Sequence, residues 1–167
     1  MERAWVFETL AVTVARIDFL DPALDGEVGA RERGVRVEVR PVSSSTTGSV
    51  YVSPSVALQP ATCRIDLLES APGAADRMHW HPEMTDGEPG ERVFEPAMSQ
   101  DPCGWLADRL AQVAATATPE NEAMNEAMNE AVNEAADEVV AAVRQGLEWA
   151  RQPWPAVRHD SRGMAPT

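Results

Sequence analysis

Val35-Arg36-Val37-Glu38-Val39-Arg40 sets three valines against three charged residues in strict alternation, and Pro41 follows. Side chains along a strand point to opposite faces in turn, so this hexapeptide reads as a half-buried strand that ends at the proline. Upstream, Leu10 to Leu20 reads as another strand, stopped by Asp21-Pro22, with Ala15, Ile17 and Phe19 alternating with Arg16 and Asp18. A loop rich in Gly and charge runs from there to Gly34. Downstream, Ser43 to Ser49 reads as a loop, and Val50-Tyr51-Val52 and Val56-Ala57-Leu58 as short strands divided by Pro54.

Two further strands follow. Cys63-Arg64-Ile65-Asp66-Leu67-Leu68 repeats the alternation, and after a Pro72-Gly73 turn comes Arg77-Met78-His79-Trp80-His81-Pro82, whose proline opens a loop reaching at least Gly90. Taken together, the four strands are expected to share one apolar face, made of Ala15, Ile17 and Phe19, of Val35, Val37 and Val39, of Cys63, Ile65 and Leu67, and of Met78 and Trp80. The opposite face then carries Arg16, Asp18, Arg36, Glu38, Arg40, Arg64, Asp66, His79 and His81. Residues 15–20 resemble 63–68, and residues 36–41 resemble 77–82, as though one strand pair were used twice.

The last third is helical in pattern. Asp101 before Pro102 is an N-cap and first-turn pair, and Trp105, Leu106, Leu110 and Val113 make an apolar stripe to about Ala117. Thr118-Pro119-Glu120 starts a second helix that ends near Arg151, before Gln152-Pro153. It opens with four Asn-Glu-Ala-x tetrads from Asn121 to Ala136. A four-residue period drifts by about 40° per repeat against a helix of 3.6 residues per turn, so Met124, Met128 and Val132 cannot all face one straight groove and the repeat is expected to be partly exposed. Val139, Val140, Val143, Leu147 and Ala150 restore an ordinary amphipathic stripe.

With 167 residues, 44% of them apolar, the chain suits one domain with a real core. The expected organisation is a β region over 1–98, a helical region over 99–152 packed on it, and a loose tail over 153–167. The net charge is −13, and all fourteen basic residues are arginine. Seven acids and no bases fall between Glu120 and Glu138, which leaves only −6 for the remainder. That balance argues against a nucleic-acid partner. No apolar run reaches the roughly 20 residues of a membrane span, and Met1 to Trp5 lacks the form of a secretory signal, so a cytoplasmic protein without a membrane partner is expected. Cys63 and Cys103 are expected to be free thiols, Cys63 in the core and Cys103 in the first turn of a helix, where the helix dipole favours a thiolate. The five tryptophans are expected to anchor packing.

The sharpest chemical signal is the pair His79 and His81. Histidines at i and i+2 of a strand point the same way and can converge on one metal ion or one anionic substrate. Neutral imidazole suits Zn, Fe, Mn or Ni, and a carboxylate normally completes such a set. Glu83 continues the parity of the histidines, and Asp86 lies in the loop that follows. Gly73, then His79-Trp80-His81, then Asp86 resembles the first half of the first cupin motif, although no second motif is present and helices fill the last third. The resemblance implies a β-barrel in which His79, His81 and Asp86 bind a metal, with Asp86 where that family usually has Glu.

The fold expected from these patterns is α+β: a curved antiparallel sheet or small β-barrel, followed by two C-terminal helices on its apolar face. The function expected is that of a small enzyme or small-ligand-binding protein whose site lies on the polar sheet face. There His79 and His81 would be catalytic, Arg36, Arg40, Arg64, Asp66 and Glu38 would bind a small-molecule substrate, and His79, His81, Asp86 and Glu83 would hold a divalent metal. The competing expectation is a non-catalytic interaction protein that assembles through its acidic helix, with the polar face merely wet. A homodimer is expected if the long helix needs a partner to bury it.

Overall fold

The computed structural model describes residues 2–7, 9–20, 30–45, 55–116 and 122–154. Eight strands come first: β1 (Glu2–Val6), β2 (Leu10–Leu20), β3 (Arg31–Ser45), β4 (Ser55–Leu58), β5 (Cys63–Glu69), β6 (Arg77–His81), β7 (Met84–Thr85) and β8 (Glu88–Pro89). Three helices follow, α1 (Pro96–Gln100), α2 (Pro102–Thr116) and α3 (Glu122–Ala150). The architecture is α+β, and the sheet stays open: its order is β1-β2-β3-β5-β6, antiparallel throughout, with β1 and β6 at the edges. No barrel closes among the described residues.

Strand β3 is the spine, and it runs past the proline expected to end it. Residues Arg31–Pro41 pair with β2 on one side and Arg33–Val39 pair with β5 on the other, while Val42–Ser45 pair with β4. Pro41 sits where the β5 ladder hands over to the β4 ladder, a place where a missing N–H interrupts neither. Ser43 to Ser45 are therefore strand rather than loop. The short strand expected at Val50–Val52 and the helix start expected at Thr118–Glu120 lie outside the described residues, as does most of the tail. Strand β1 and helix α1 carry too little periodicity to be read from five residues each.

Register corrects the assignment of faces in β2. Val12 lies opposite Val39, Val14 opposite Val37 and Arg16 opposite Val35, whereas Ala15 lies opposite Arg36 and Phe19 opposite Glu32. Residues directly opposite share a face, so Leu10, Val12 and Val14 join the core and Ala15, Ile17 and Phe19 point the other way. Phe19 is 51% exposed. The physical reason is local to β2. Its first half carries aliphatic residues at even positions and its second half at odd ones, and burying Leu10, Val12 and Val14 under the helices decides the register. Arg16 and Asp18 consequently face the helical side.

On that side Val35, Val37, Val39, Cys63, Ile65, Leu67 and Met78 meet Met98 of α1, Leu106 and Leu110 of α2, and Val132, Val139, Val143 and Leu147 of α3. The two long helices α2 and α3 thus cover the apolar face as expected, and the short α1 joins them. Asp101 caps α2, accepting from Gly104 N at 2.9 Å. Where α3 crosses β3 the approach is close, since a Cβ on Gly146 would sit 2.3 Å from Val35 Cγ2. Within the tetrads Val132 is buried while Asn133 and Glu134 are exposed, the partial exposure that the period implies.

The tryptophans do anchor packing, each through its ring or its N–H. Trp5 donates to Glu138 of α3. Trp80 and Trp105 both donate to Glu95, which also accepts from Arg109. Trp149 lies under Arg16 and Arg33, and Trp154 donates to Ala150 O.

Candidate metal centre

The face turned away from the helices carries the histidines. Strands β5 and β6 pair so that Asp66 lies opposite His79 and Arg64 opposite His81. On the other flank of β5, Arg36 lies opposite Asp66 and Glu38 opposite Arg64. Cross-strand neighbours on one face have Cβ atoms about 5 Å apart, so the register alone gathers Asp66, Arg36, Arg64, His79 and His81.

Asp66, His79 and His81 each offer a potential metal-ligand atom within 4.8 Å of the others, and the three residues are buried. Each imidazole is oriented by a main-chain carbonyl. His79 Nδ1 is 2.9 Å from Arg77 O, and His81 Nδ1 is 3.0 Å from Gly90 O. A carbonyl only accepts, so in both rings the proton sits on Nδ1 and the lone pair belongs to Nε2. The Nε2 of His79 is directed to the Asp66 carboxylate, and that of His81 meets the Arg64 guanidinium. Outer-sphere carbonyls fix metal-binding histidines in the same way.

Two features of this arrangement stand out. His79 Nε2 is buried without a hydrogen-bond partner, 3.5 Å from Asp66 Oδ2. Burial pushes the His79 imidazole below its ordinary value, against the pull of its bond to Arg77 O and of Asp66, with Arg92 and His81 adding to the depression. A neutral ring therefore turns its lone pair toward a carboxylate oxygen in a dry setting, an arrangement that asks for a cation.

Arg64 supplies part of that charge. Its Nη2 is 3.2 Å from His81 Nε2, and its Nε is 3.0 Å from Asp66 Oδ2, yet the Nε–H is off line and no acceptor takes it. Arg36 binds the other oxygen, Nε to Oδ1, at 2.7 Å.

Of the substrate-binding set expected from sequence, Asp66, Arg64 and Arg36 are thus in the group. Glu38 and Arg40 form an ion pair beside it, Arg40 also donating to Gln59 O at 3.1 Å. Glu83 and Asp86 stand apart, exposed, and neither belongs to the cluster. Asp86 has φ 52° and Gly87 φ 84°, two consecutive left-handed residues that make the tight turn between β7 and β8. The carboxylate that stands with the two histidines is Asp66, from the neighbouring strand. Its signal in the sequence is the parity of Asp66 within β5, together with a hairpin short enough to fix the pairing of β5 with β6.

The segment after β6 folds back on that strand. Val93 exchanges two main-chain hydrogen bonds with Trp80, and the Phe94 ring lies 5.5 Å from the His79 ring. Cys63 is buried on the opposite face, which raises its thiol to about 11, and Cys103 is half-buried in the first turn of α2. Both are free. No helix is long and apolar enough to cross a membrane among the described residues. The chain matches no protein-family model, no curated protein and no solved structure.

Proposed function

We propose that this is a small metalloprotein, an enzyme or a ligand-binding protein, that holds one divalent ion of the Zn, Fe, Mn or Ni kind on Asp66, His79 and His81. The observation that carries the reading is the buried, unpartnered Nε2 of His79 aimed at the Asp66 carboxylate. Two imidazoles and one carboxylate neutralise a divalent ion only in part and leave coordination positions free, the donor set of catalytic zinc and of non-haem iron sites. Bound there, the ion would act as a Lewis acid on a water or a substrate oxygen.

The chain's own residues have separate tasks in this scheme. Arg77 O and Gly90 O hold the rings, and Arg36 holds the Asp66 oxygen that faces away from His79. The free thiols Cys63 and Cys103 suit a reducing compartment such as the cytoplasm.

Metal analysis of protein purified without a His-tag is the direct test. We expect close to one equivalent of a divalent transition metal per chain, and its loss in the His79→Ala, His81→Ala double variant with the fold retained by circular dichroism. A content far below one that is indifferent to both substitutions, even after incubation with Zn, Fe, Mn and Ni salts, defeats the reading.

A further inference from the structure

The Arg64 guanidinium lies against the group that could hold an ion. It reaches His81 Nε2 through one nitrogen and approaches Asp66 Oδ2 with another, and so engages two of the three residues that could hold an ion. We propose that Arg64 is a built-in competitor, so that a divalent ion binds only by displacing its guanidinium, which then becomes available to a small anion beside the metal. This rests on the metal reading above and adds to it a gate and a ligand class.

Three observations support exchange rather than a permanent seat. Arg64 blocks the His81 lone pair, which cannot serve a guanidinium and a metal at once. It leaves two buried atoms unsatisfied, its own Nε and His79 Nε2, so it supplies charge to the group without completing its hydrogen bonding. Arg36 already neutralises Asp66 from the other oxygen and touches neither histidine, so the carboxylate keeps a fixed partner when Arg64 leaves.

The ligand class follows from charge. With an ion in place, two guanidiniums and a divalent metal face the single carboxylate of Asp66, while Glu38, the nearest further acid in register, is already paired with Arg40. A buried excess of positive charge is stabilised by an anion. A carboxylate or phosphate can take both an open metal position and the fork of Arg64.

The contrast between Arg64→Gln and Arg36→Gln separates competition from simple electrostatics, because each removes one positive charge next to Asp66 and only the first frees His81. Co2+ serves as the metal probe, followed by calorimetry and by its visible absorption, and acetate serves as the anion probe. Arg64→Gln is expected to tighten Co2+ by about tenfold or more over wild type, the worth of one charge-assisted hydrogen bond that no longer has to be broken. Arg36→Gln is expected to change affinity by much less. Acetate should shift the Co2+ absorption of wild type, and the shift should need several-fold more acetate in Arg64→Gln.

Equal tightening in the two variants, or no tightening in Arg64→Gln, overturns the competition while leaving the metal site standing. An acetate response identical in wild type and Arg64→Gln overturns the anion role. Failure of both proteins to bind Co2+ removes the metal reading and this one with it. If Arg64→Gln does not fold, Arg64→Lys decides by the same criteria, since lysine keeps the charge but lacks the fork that spans His81 and Asp66.

Discussion

Arg-Ile-Asp occurs twice in this chain, at residues 16–18 in β2 and at 64–66 in β5, and the two copies do different work. In β5 the Arg and Asp face away from the helices, opposite two histidines, and Asp66 is 1% exposed between Arg36 and Arg64. In β2 they face the helices, at the far end of the core. Asp18 there is about a third exposed and bound by Arg31, with bonds of 2.7 and 2.8 Å, while Arg16 lies over the Trp149 ring. A tripeptide in a strand has no chemistry of its own. What lies across the ladder, and on which face, assigns it.

The largest expected consequence of that difference is at the two aspartates. Asp66→Asn leaves two guanidiniums without their anion in a buried setting and should cost about 3–5 kcal/mol in urea unfolding, along with the bound metal. Asp18→Asn, at a partly exposed pair, should cost at most about 1 kcal/mol. Equal costs at the two positions would mean that burial is not what separates them, and the contrast would collapse.

The same two copies mark what could be read from the sequence and what could not. For β5 the alternation runs unbroken from Cys63 to Leu67, which puts Ile65 and Leu67 inside and Arg64 and Asp66 on the face of the histidines, as the structure has them. In β2 the alternation changes phase near Ala15. Residues 15–19, read alone, put Ile17 and Phe19 in the core, whereas the stronger set Leu10, Val12 and Val14 was what the helices covered. Phase within a strand is a local signal, but the face that is buried is settled by the sheet as a whole. The candidate site follows the same rule. Proximity along the chain points to Glu83 and Asp86, whereas the carboxylate grouped with the histidines is Asp66 from across the ladder, which strand parity puts on their face and register sets opposite His79. The repeat suggested by residues 15–20 and 63–68 puts equivalent residues on opposite faces, so it does not describe one structural unit used twice.

The end of the sheet near Arg16 offers the next test. Arg33 is 5% exposed, its guanidinium carbon 4.0 Å above the Trp149 ring centre, and Arg16 reaches the same ring at 5.1 Å. Here an aromatic face serves the two cations as Asp66 serves Arg36 and Arg64. Trp149→Leu should lower stability by roughly 1–3 kcal/mol, and Trp149→Phe, which keeps a π face, should recover part of the loss. Identical losses in the two variants would show that ring volume alone matters there, and that Arg16 of β2 and Arg33 of β3 are held by something other than the ring.

The smallest effect is a pH dependence, and its sign distinguishes a working ion pair from an incidental one. The hydrogen bond from Arg31 is the main cause that holds Asp18 below the ordinary carboxylate value, partly opposed by burial and aided by the charges of Arg31 and Arg33. The folded value therefore lies beneath the unfolded one, near 3.9. A depressed acid contributes stability that is fully present above the unfolded value and is lost as pH falls through the folded one. The stability difference between wild type and Asp18→Asn should accordingly be flat from neutral pH to about pH 5 and shrink below about pH 4, read from urea midpoints at each pH. Because Asp18 is partly solvated, the whole change should stay within about 1 kcal/mol. A difference that stays constant down to pH 2 would mean that Arg31 does not favour the ionised carboxylate. The Arg-Ile-Asp of β2 would then be held by Trp149 alone, and the two copies would differ in kind rather than in degree of burial.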